Sequence, residues 1–333
     1  MKNLILKNKP LDEIIFLSNT VEVSGVKSPL IAKEYGTKEY VLSSWLEPLS
    51  KIHNSVTHIE ADETAYHELK SRVDSGMNLF VINFSEGLFG RDRETQMPAI
   101  LELLGIAYSG GGPLNKSLVL NKSRAKQIFQ ANNVPTAPFV VAYDSEVDIS
   151  HLSFPLFLKP NCDGSSIGIS ELSKVDDLSS FKTSLDFYLN NFKQPILIEE
   201  YLSGNEFSVG LLGNEILPVI SKDYGGFANF QSSDIKYSDK VHYSSPANID
   251  ISLKDKLQSI AKKAFMVTAC EDISRLDFRL DSLGNSYVLE INSPPGVGPE
   301  SSLWTSISAA GYSRPQMIER IITNALKRYN TNS

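Results

Sequence analysis

A chain of 333 residues that is 41% hydrophobic and 21% charged has enough apolar mass for two or three packed modules, and it is not a disordered polymer. Its formal net charge is -7 with no dense lysine–arginine stripe. That argues against a nucleic-acid partner, while a few lysines could still hold a small polyphosphate inside a cleft. Cys162 and Cys270 stand far apart, the N-terminus lacks an apolar leader core, and no run approaches the roughly 20 apolar residues of a membrane span. A reduced, cytoplasmic chain without a membrane partner is expected.

In chain order, residues 13–18 and 79–84 are short apolar runs predicted as buried strands, with helical periodicity over 64–75 and 95–104. Such alternation implies a parallel sheet covered by helices. The Gly-Gly-Gly-Pro run ending at Pro113 punctuates the chain, and a module boundary is expected there. A helix over about 121–133 follows, and Pro135 and Pro138 mark an extended exit. Residues 154–159 form a strand that runs straight into a loop over 160–168. A second strand is expected from 196, then a polar loop around 223–245, with helices over 252–269 and 313–328. The total is α+β with several small sheets.

The most informative segment is residues 274–293. Leu276, Phe278 and Leu280 alternate with Arg275, Asp277 and Arg279, so a strand there puts the apolar set on one face and the polar set on the other. A turn over 282–285 returns the chain, with Glu290 and Asn292 on one face and Leu289 and Ile291 on the opposite one. A turn centred between Leu283 and Gly284 sets Asp277 opposite Glu290 and Arg275 opposite Asn292. Two carboxylates and an amide oxygen on one face suit magnesium carrying nucleotide phosphates, although a hairpin with one solvated face gives the same pattern. The continuation Ser293-Pro294-Pro295-Gly296 ends the strand and leaves Gly296 able to approach a ligand.

Lys159 closes its strand and opens a loop in which Gly164 and Gly168 can bring backbone N–H groups to an anion, with Ser165 and Ser166 adding hydroxyls. The loop is neither a Walker A motif nor a dinucleotide fingerprint, and an ordinary surface turn has the same composition. The five histidines show no ligand spacing.

Together these segments resemble the ATP-grasp superfamily and, within it, the D-alanine–D-alanine ligases, over residues 78–328. The resemblance rests on residues 105–110, 121–126, 154–160, 164–168, 198–207, 275–281 and 290–296, in that order and spacing. It implies an ATP-grasp fold of two α+β subdomains clasping ATP, preceded by an α/β Rossmann-like N-terminal domain, with boundaries at 1–113, 114–195 and 196–333. It implies an ADP-forming, peptide-bond-forming ligase that works through an acyl phosphate with two Mg2+ ions, or Mn2+ in their place, on small-molecule carboxylate and amine substrates, and a homodimer. By motif position, Lys122 and Lys159 contact the ATP phosphates, Glu199, Glu200 and Leu202 line the adenine pocket, and Glu206 holds the ribose. The metal ligands are Asp277, Glu290 and Asn292. Arg275 and the Gly296 N–H face the developing oxyanion, Lys236 and Tyr237 belong to a mobile loop over the phosphates, and Ser165 ties that loop down.

The departures cluster at the substrate end. Where the family carries a carboxylate that grips the first substrate's ammonium, this chain has Thr20, ahead of Glu22; a neutral hydroxyl does not pair with an ammonium as a carboxylate does. The family's His-Gly becomes Ser85-Glu86-Gly87, followed by Arg91 and Arg93, and the loop carries Cys162-Asp163 in place of Arg-Glu. Ser301 keeps the serine expected at the second substrate's carboxylate, while Ser302 replaces a leucine. Glu86 could serve as a replacement ammonium partner, the two arginines could receive an acidic substrate, or all could be surface charges. The readings are therefore a D-alanine–D-alanine-type ligase with an altered first-substrate pocket, a ligase for other amino acids or a peptide or natural-product carboxylate, and a non-catalytic ATP-binding regulator.

Overall fold

The computed structural model describes residues 4–22, 35–226, 230–232 and 241–331. The N-terminal module is built on β1 (Glu13–Ser18), β2 (Val56–Glu60), β3 (Leu79–Phe84) and β4 (Ala107–Tyr108), parallel in the order β2-β1-β3-β4. All six residues of β1 are buried because both faces of the sheet are covered, and that is why its sequence runs apolar instead of alternating. Ile15, Leu17 and Val81 pack against Leu69 of α1 (Ala65–Asp74) and Leu101 of α2 (Gln96–Leu103). Ile14, Phe16, Phe80 and Ile82 face the other way, onto Trp45, Leu49 and the C-terminal helix (Arg314–Thr331) through Met317, Ile318, Ile321 and Ile322. The last helix thus belongs to the core of the first module.

The next helices, α3 (Pro113–Leu120) and α4 (Lys122–Ala131), meet at Asn121, whose side chain accepts the Arg124 N–H as an N-cap. The central sheet comprises β5 (Phe139–Ala142), β6 (Leu156–Pro160), β7 (Lys174–Val175) and β8 (Ile196–Glu200), in the order β5-β8-β6-β7. Phe181, Leu185 and Tyr188 of α5 (Leu178–Asn191) cover one face by packing on Leu156, Leu158, Ile196 and Ile198. With a two-residue period, Phe157, Lys159 and Glu199 face the opposite side.

The C-terminal sheet has β9 (Glu206–Leu212), β10 (Glu215–Ile216), β11 (Ile220–Asp223), β12 (His242–Ser244), β13 (Ile273–Leu280) and β14 (Ser286–Asn292). Its order is β12-β11-β9-β13-β14, with β10 paired to β9. Phe207, Val209, Leu276, Phe278, Val288 and Ile291 pack on Ala125 and Phe129 of α4 and on Leu257, Ala261 and Ala264 of α6 (Ile251–Val267). The topology departs from the expected boundaries in two places. Strand β8 pairs within the central sheet, which therefore extends past residue 195. Helix α4, which precedes the central sheet in sequence, packs on the C-terminal one. Its apolar stripe specifies that it must be buried, but not against which sheet.

Candidate active site

Three cross-strand rows on one face of the C-terminal sheet organise the charges. Lys222, Glu206, Arg279 and Tyr287 form the first; Ser208, Asp277 and Glu290 the second; Gly210, Arg275 and Asn292 the third. The expected pairings of Asp277 with Glu290 and of Arg275 with Asn292 are present, but they arise differently from the simple hairpin. Near the turn, Phe278 pairs with Val288 and Leu280 with Ser286, so the turn is centred on Leu283. A bulge between Asp277 and Phe278 on one side, and across Leu289 on the other, shifts the register by one. Leu289 is consequently half-buried and lines the cleft beside Glu290, a correction to its expected place opposite.

This face and the face of the central sheet that carries Phe157, Lys159 and Glu199 enclose a cavity of about 430 Å3. Lys122, Lys159, Ser165, Glu199, Glu200, Leu202, Glu206, Arg275, Asp277, Glu290, Asn292, Gly296, Glu86 and Ser301 all line it. Residues separated by up to 215 positions in sequence are thereby brought to one cleft.

Asp277 is wrapped by donors. The Ser208 hydroxyl donates to it, Arg275 grips it with Nε at 3.0 Å and a terminal nitrogen at 2.7 Å, Lys222 lies 3.2 Å away, and the Asn292 amide donates at 3.4 Å. Burial opposes its charge, but Arg275 and Lys222 outweigh it and hold the carboxyl well below the usual range. Glu290 is more open: burial opposes its charge, but Lys122, 3.5 Å away, together with Lys159 and Arg275 outweighs it and lowers the carboxyl. Glu206 is held by Lys222 at 2.7 Å, by the Tyr224 hydroxyl at 2.8 Å and by Arg279 at 3.8 Å.

On the central sheet Glu199 is buried between two lysines, Lys159 at 2.5 Å and Lys126 at 2.7 Å. Burial again opposes the charge, and the two ammonium groups pull the carboxyl down to about 2. Lys222, Tyr224 and Ser208 have no role legible in the sequence, and Lys126 figures only as the last residue of the 121–126 motif. A four-residue spacing from Lys122 on a helix offered a signal for Lys126. Lys222 had none, because its partners lie 16 and 55 residues away in sequence and meet it by strand pairing.

In the loop over 160–168, Gly164, Ser165 and Ser166 line the cleft, and Lys122 donates to the Asp163 carbonyl. Ser165 and Ser166 both have positive φ, 50° and 57°, a backbone cost of roughly 1–2 kcal/mol each that the loop carries to face them inward. Gly168 does not line the cleft: with φ +77°, a Cβ there would meet Pro160 and Phe192, so this glycine serves packing and not the expected anion. Gly296 is exposed, with open space around its α-carbon.

At the substrate end, Thr20 is fully buried and outside the cleft lining; its N–H and hydroxyl donate to Glu60 at 2.6 and 2.7 Å. Burial raises the Glu60 carboxyl in spite of those donors. Glu22 also lies outside the lining and accepts the Lys38 N–H. Glu86 reaches the cleft because the buried Asn19 side chain accepts its N–H at 2.9 Å and the Gly87 N–H at 3.2 Å. Arg93 is buried 3.7 Å from Asp163, and Arg91 is exposed beside Asp92. Ser301 caps α7 (Ser302–Ala309) by accepting the Trp304 N–H. Lys236 and Tyr237 lie outside the described residues.

The donor set fits a hard divalent cation. Glu290 and Asn292 offer oxygens to the cleft and Asp277 faces Glu290 across the ladder, although among the described residues no group of three or more acidic, histidine or cysteine side chains forms a metal cluster.

A family profile for the D-ala D-ala ligase C-terminus matches residues 128–323. A D-alanine–D-alanine ligase from Actinobacillus succinogenes is 32% identical over 250 residues, 73% of this chain and 79% of the relative. The chain belongs to the D-alanine–D-alanine ligase family. Membership of this ligase family makes it an ATP-dependent ligase at the level of class. It is also 33% identical over 261 residues, 77% of this chain and 76% of the relative, to an uncharacterized protein, y4sG, of Sinorhizobium fredii. The fold matches the crystal structure of a D-alanine–D-alanine ligase from Bacillus anthracis complexed with ATP, with a TM-score of 0.74 at 22% identity over 96% of this chain and 99% of that one. The ATP-grasp architecture expected for this family is therefore the one observed. Among the described residues no helix is long and apolar enough to cross a membrane.

Proposed function

We propose that this ligase activates the carboxylate of a small amino-acid or peptide substrate with ATP as an acyl phosphate and joins it to the amine of a second, releasing ADP and phosphate. The observation that carries the reading is the cross-strand pair of Asp277 with Glu290, and Arg275 with Asn292, facing a cavity whose opposite wall presents Lys159 and Lys122. A carboxylate attacking ATP approaches a polyanion, so fixed cations are needed where charge gathers. In this reading Lys122 and Lys159 take the phosphates, Glu199, Glu200 and Leu202 border the base, and Glu206 accepts the ribose hydroxyls. Mg2+ or Mn2+, held by Asp277, Glu290 and Asn292, would neutralise phosphate charge when bound. Arg275 and the Gly296 N–H then stabilise the oxyanion as the amine attacks, and Ser165, Lys236 and Tyr237 serve the closure that keeps water from the acyl phosphate.

The first-substrate pocket is altered. With Thr20 turned onto Glu60, the N-terminal module brings two carboxylates to the cleft, Glu86 and Glu94; Glu94 is paired with Lys116, and Glu86 is the proposed partner of the first substrate's ammonium. Ser301 is the proposed partner of the second substrate's carboxylate. Release of ADP and phosphate with a panel of D- and L-amino acids and dipeptides tests this. ATP binding without turnover on any acceptor would replace the ligase reading with that of a nucleotide-binding regulator.

A further inference from the structure

We propose that Lys222 links the ribose end of the cleft to its metal end: one buried ammonium shared by Glu206 and Asp277 makes the affinity of each end depend on the other. The inference rests on the roles given above to Glu206 and Asp277. Its geometry is independent of them. Strand β11 pairs with β9 so that Lys222 stands beside Glu206, and β9 pairs with β13 so that Asp277 lies one row further on. The ammonium is 2.7 Å from Glu206 and 3.2 Å from Asp277, in a side chain that is 4% exposed and lines the cavity. With all three side chains buried, Coulombic attraction between these groups is weakly screened.

Each carboxylate also has partners of its own. Arg275 holds Asp277, whereas Glu206 has the Tyr224 hydroxyl and, farther off, Arg279. Among the described residues Lys222 is the group common to both. Weakening Glu206 as an acceptor therefore shifts the ammonium onto Asp277, where it opposes a divalent cation. Strengthening the pull of Glu206 draws the ammonium away and favours the cation. Because coupling is reciprocal, a nucleotide that engages Glu206 changes metal affinity by the same factor that metal changes nucleotide affinity.

The test is Mn2+ binding to the full-length protein saturated with ADP, read by electron paramagnetic resonance and not by turnover, with ADP affinity in excess EDTA as a second readout. Glu206→Gln is expected to weaken Mn2+ binding about tenfold, a middle value for site–site coupling. In a Lys222→Met background the same change is expected to have no effect on Mn2+. An equal loss in both backgrounds overturns the link. If Lys222→Met lacks a cooperative melt, Tyr224→Phe decides. It removes a donor from Glu206, so Glu206 takes more of the ammonium and Mn2+ binds several-fold tighter; unchanged or weaker binding overturns the link. A wild-type protein that binds ADP but no Mn2+ overturns the metal assignment and the link together. Normal ADP and Mn2+ binding with no coupling overturns the link alone.

Discussion

Asp277 and Glu290 face one another across the β13–β14 ladder, yet they are held in different ways. Asp277 is enclosed by Ser208, Lys222, Arg275 and Asn292, while Glu290 meets Lys122 at 3.5 Å and remains turned to the open cleft. One is anchored in a charge lattice; the other is free to exchange its partner for a ligand.

Glu290→Gln keeps the shape of the side chain and removes a charge from the cleft. ADP release is expected to fall by at least about a hundredfold, with the thermal midpoint within a few degrees of wild type, because the residue is only partly buried. Undiminished turnover in a coupled phosphate-release assay would remove the metal assignment. Chelation with excess EDTA is expected to reproduce the loss in the wild type.

Arg275→Ala acts on two links at once. The oxyanion loses a donor, for which a drop of about 10²–10³ in the rate constant is expected. Asp277 loses its bidentate partner and keeps Lys222 and Ser208, so a stability cost of about 3–5 kcal/mol is also expected. Equilibrium urea unfolding and ATP binding separate the two: ATP should still bind where product formation has stopped.

Glu199 makes stability depend on acid. Its carboxyl lies at about 2 when folded against an ordinary 4.5, so its contribution is present above pH 4.5 and is lost as pH falls toward 2. The difference corresponds to about 3 kcal/mol. Glu199→Gln is expected to flatten this part of the acid limb while lowering stability at pH 7 by about 3–5 kcal/mol, since Lys126 and Lys159 lose their shared counter-charge. Urea midpoints at pH 3 and pH 7 check both signs.

Thr20→Val removes the hydroxyl that donates to Glu60 but leaves the backbone N–H in place. A loss of about 1–3 kcal/mol is expected in thermal unfolding. Because Thr20 lies outside the cleft lining, the apparent affinity for ATP should stay unchanged. A large change in ATP affinity without loss of stability would contradict its placement as a support for the strand ends.

Local order made much of this molecule legible in its residues. The apolar run of β1 announces a strand covered on both sides, and the alternation over 275–280 sorts its residues onto two faces because strand geometry has a period of two. The motif residues on β6, β8, β13 and β14 are legible this way or through the family resemblance, and nearly all line the cleft. The turn is centred on Leu283, half a residue before the expected midpoint, and a bulge at Leu289 restores the pairing. Bulges arise from how two strands settle on a core, which no single segment encodes.

What folding in three dimensions added is a matter of partners. Lys126 and Lys222 look like ordinary lysines until strand pairing and helix docking deliver buried carboxylates to them. Thr20 reads as a substrate contact until β2, lying parallel beside β1, brings Glu60 onto it. Helix α4 has an apolar stripe that demands burial, but its choice of the C-terminal sheet depends on the shape of both. Periodicity is a property of neighbouring residues and can be read along a chain. Charge pairing in a cleft depends on distances between residues remote in sequence, and those distances exist only after the sheets have packed.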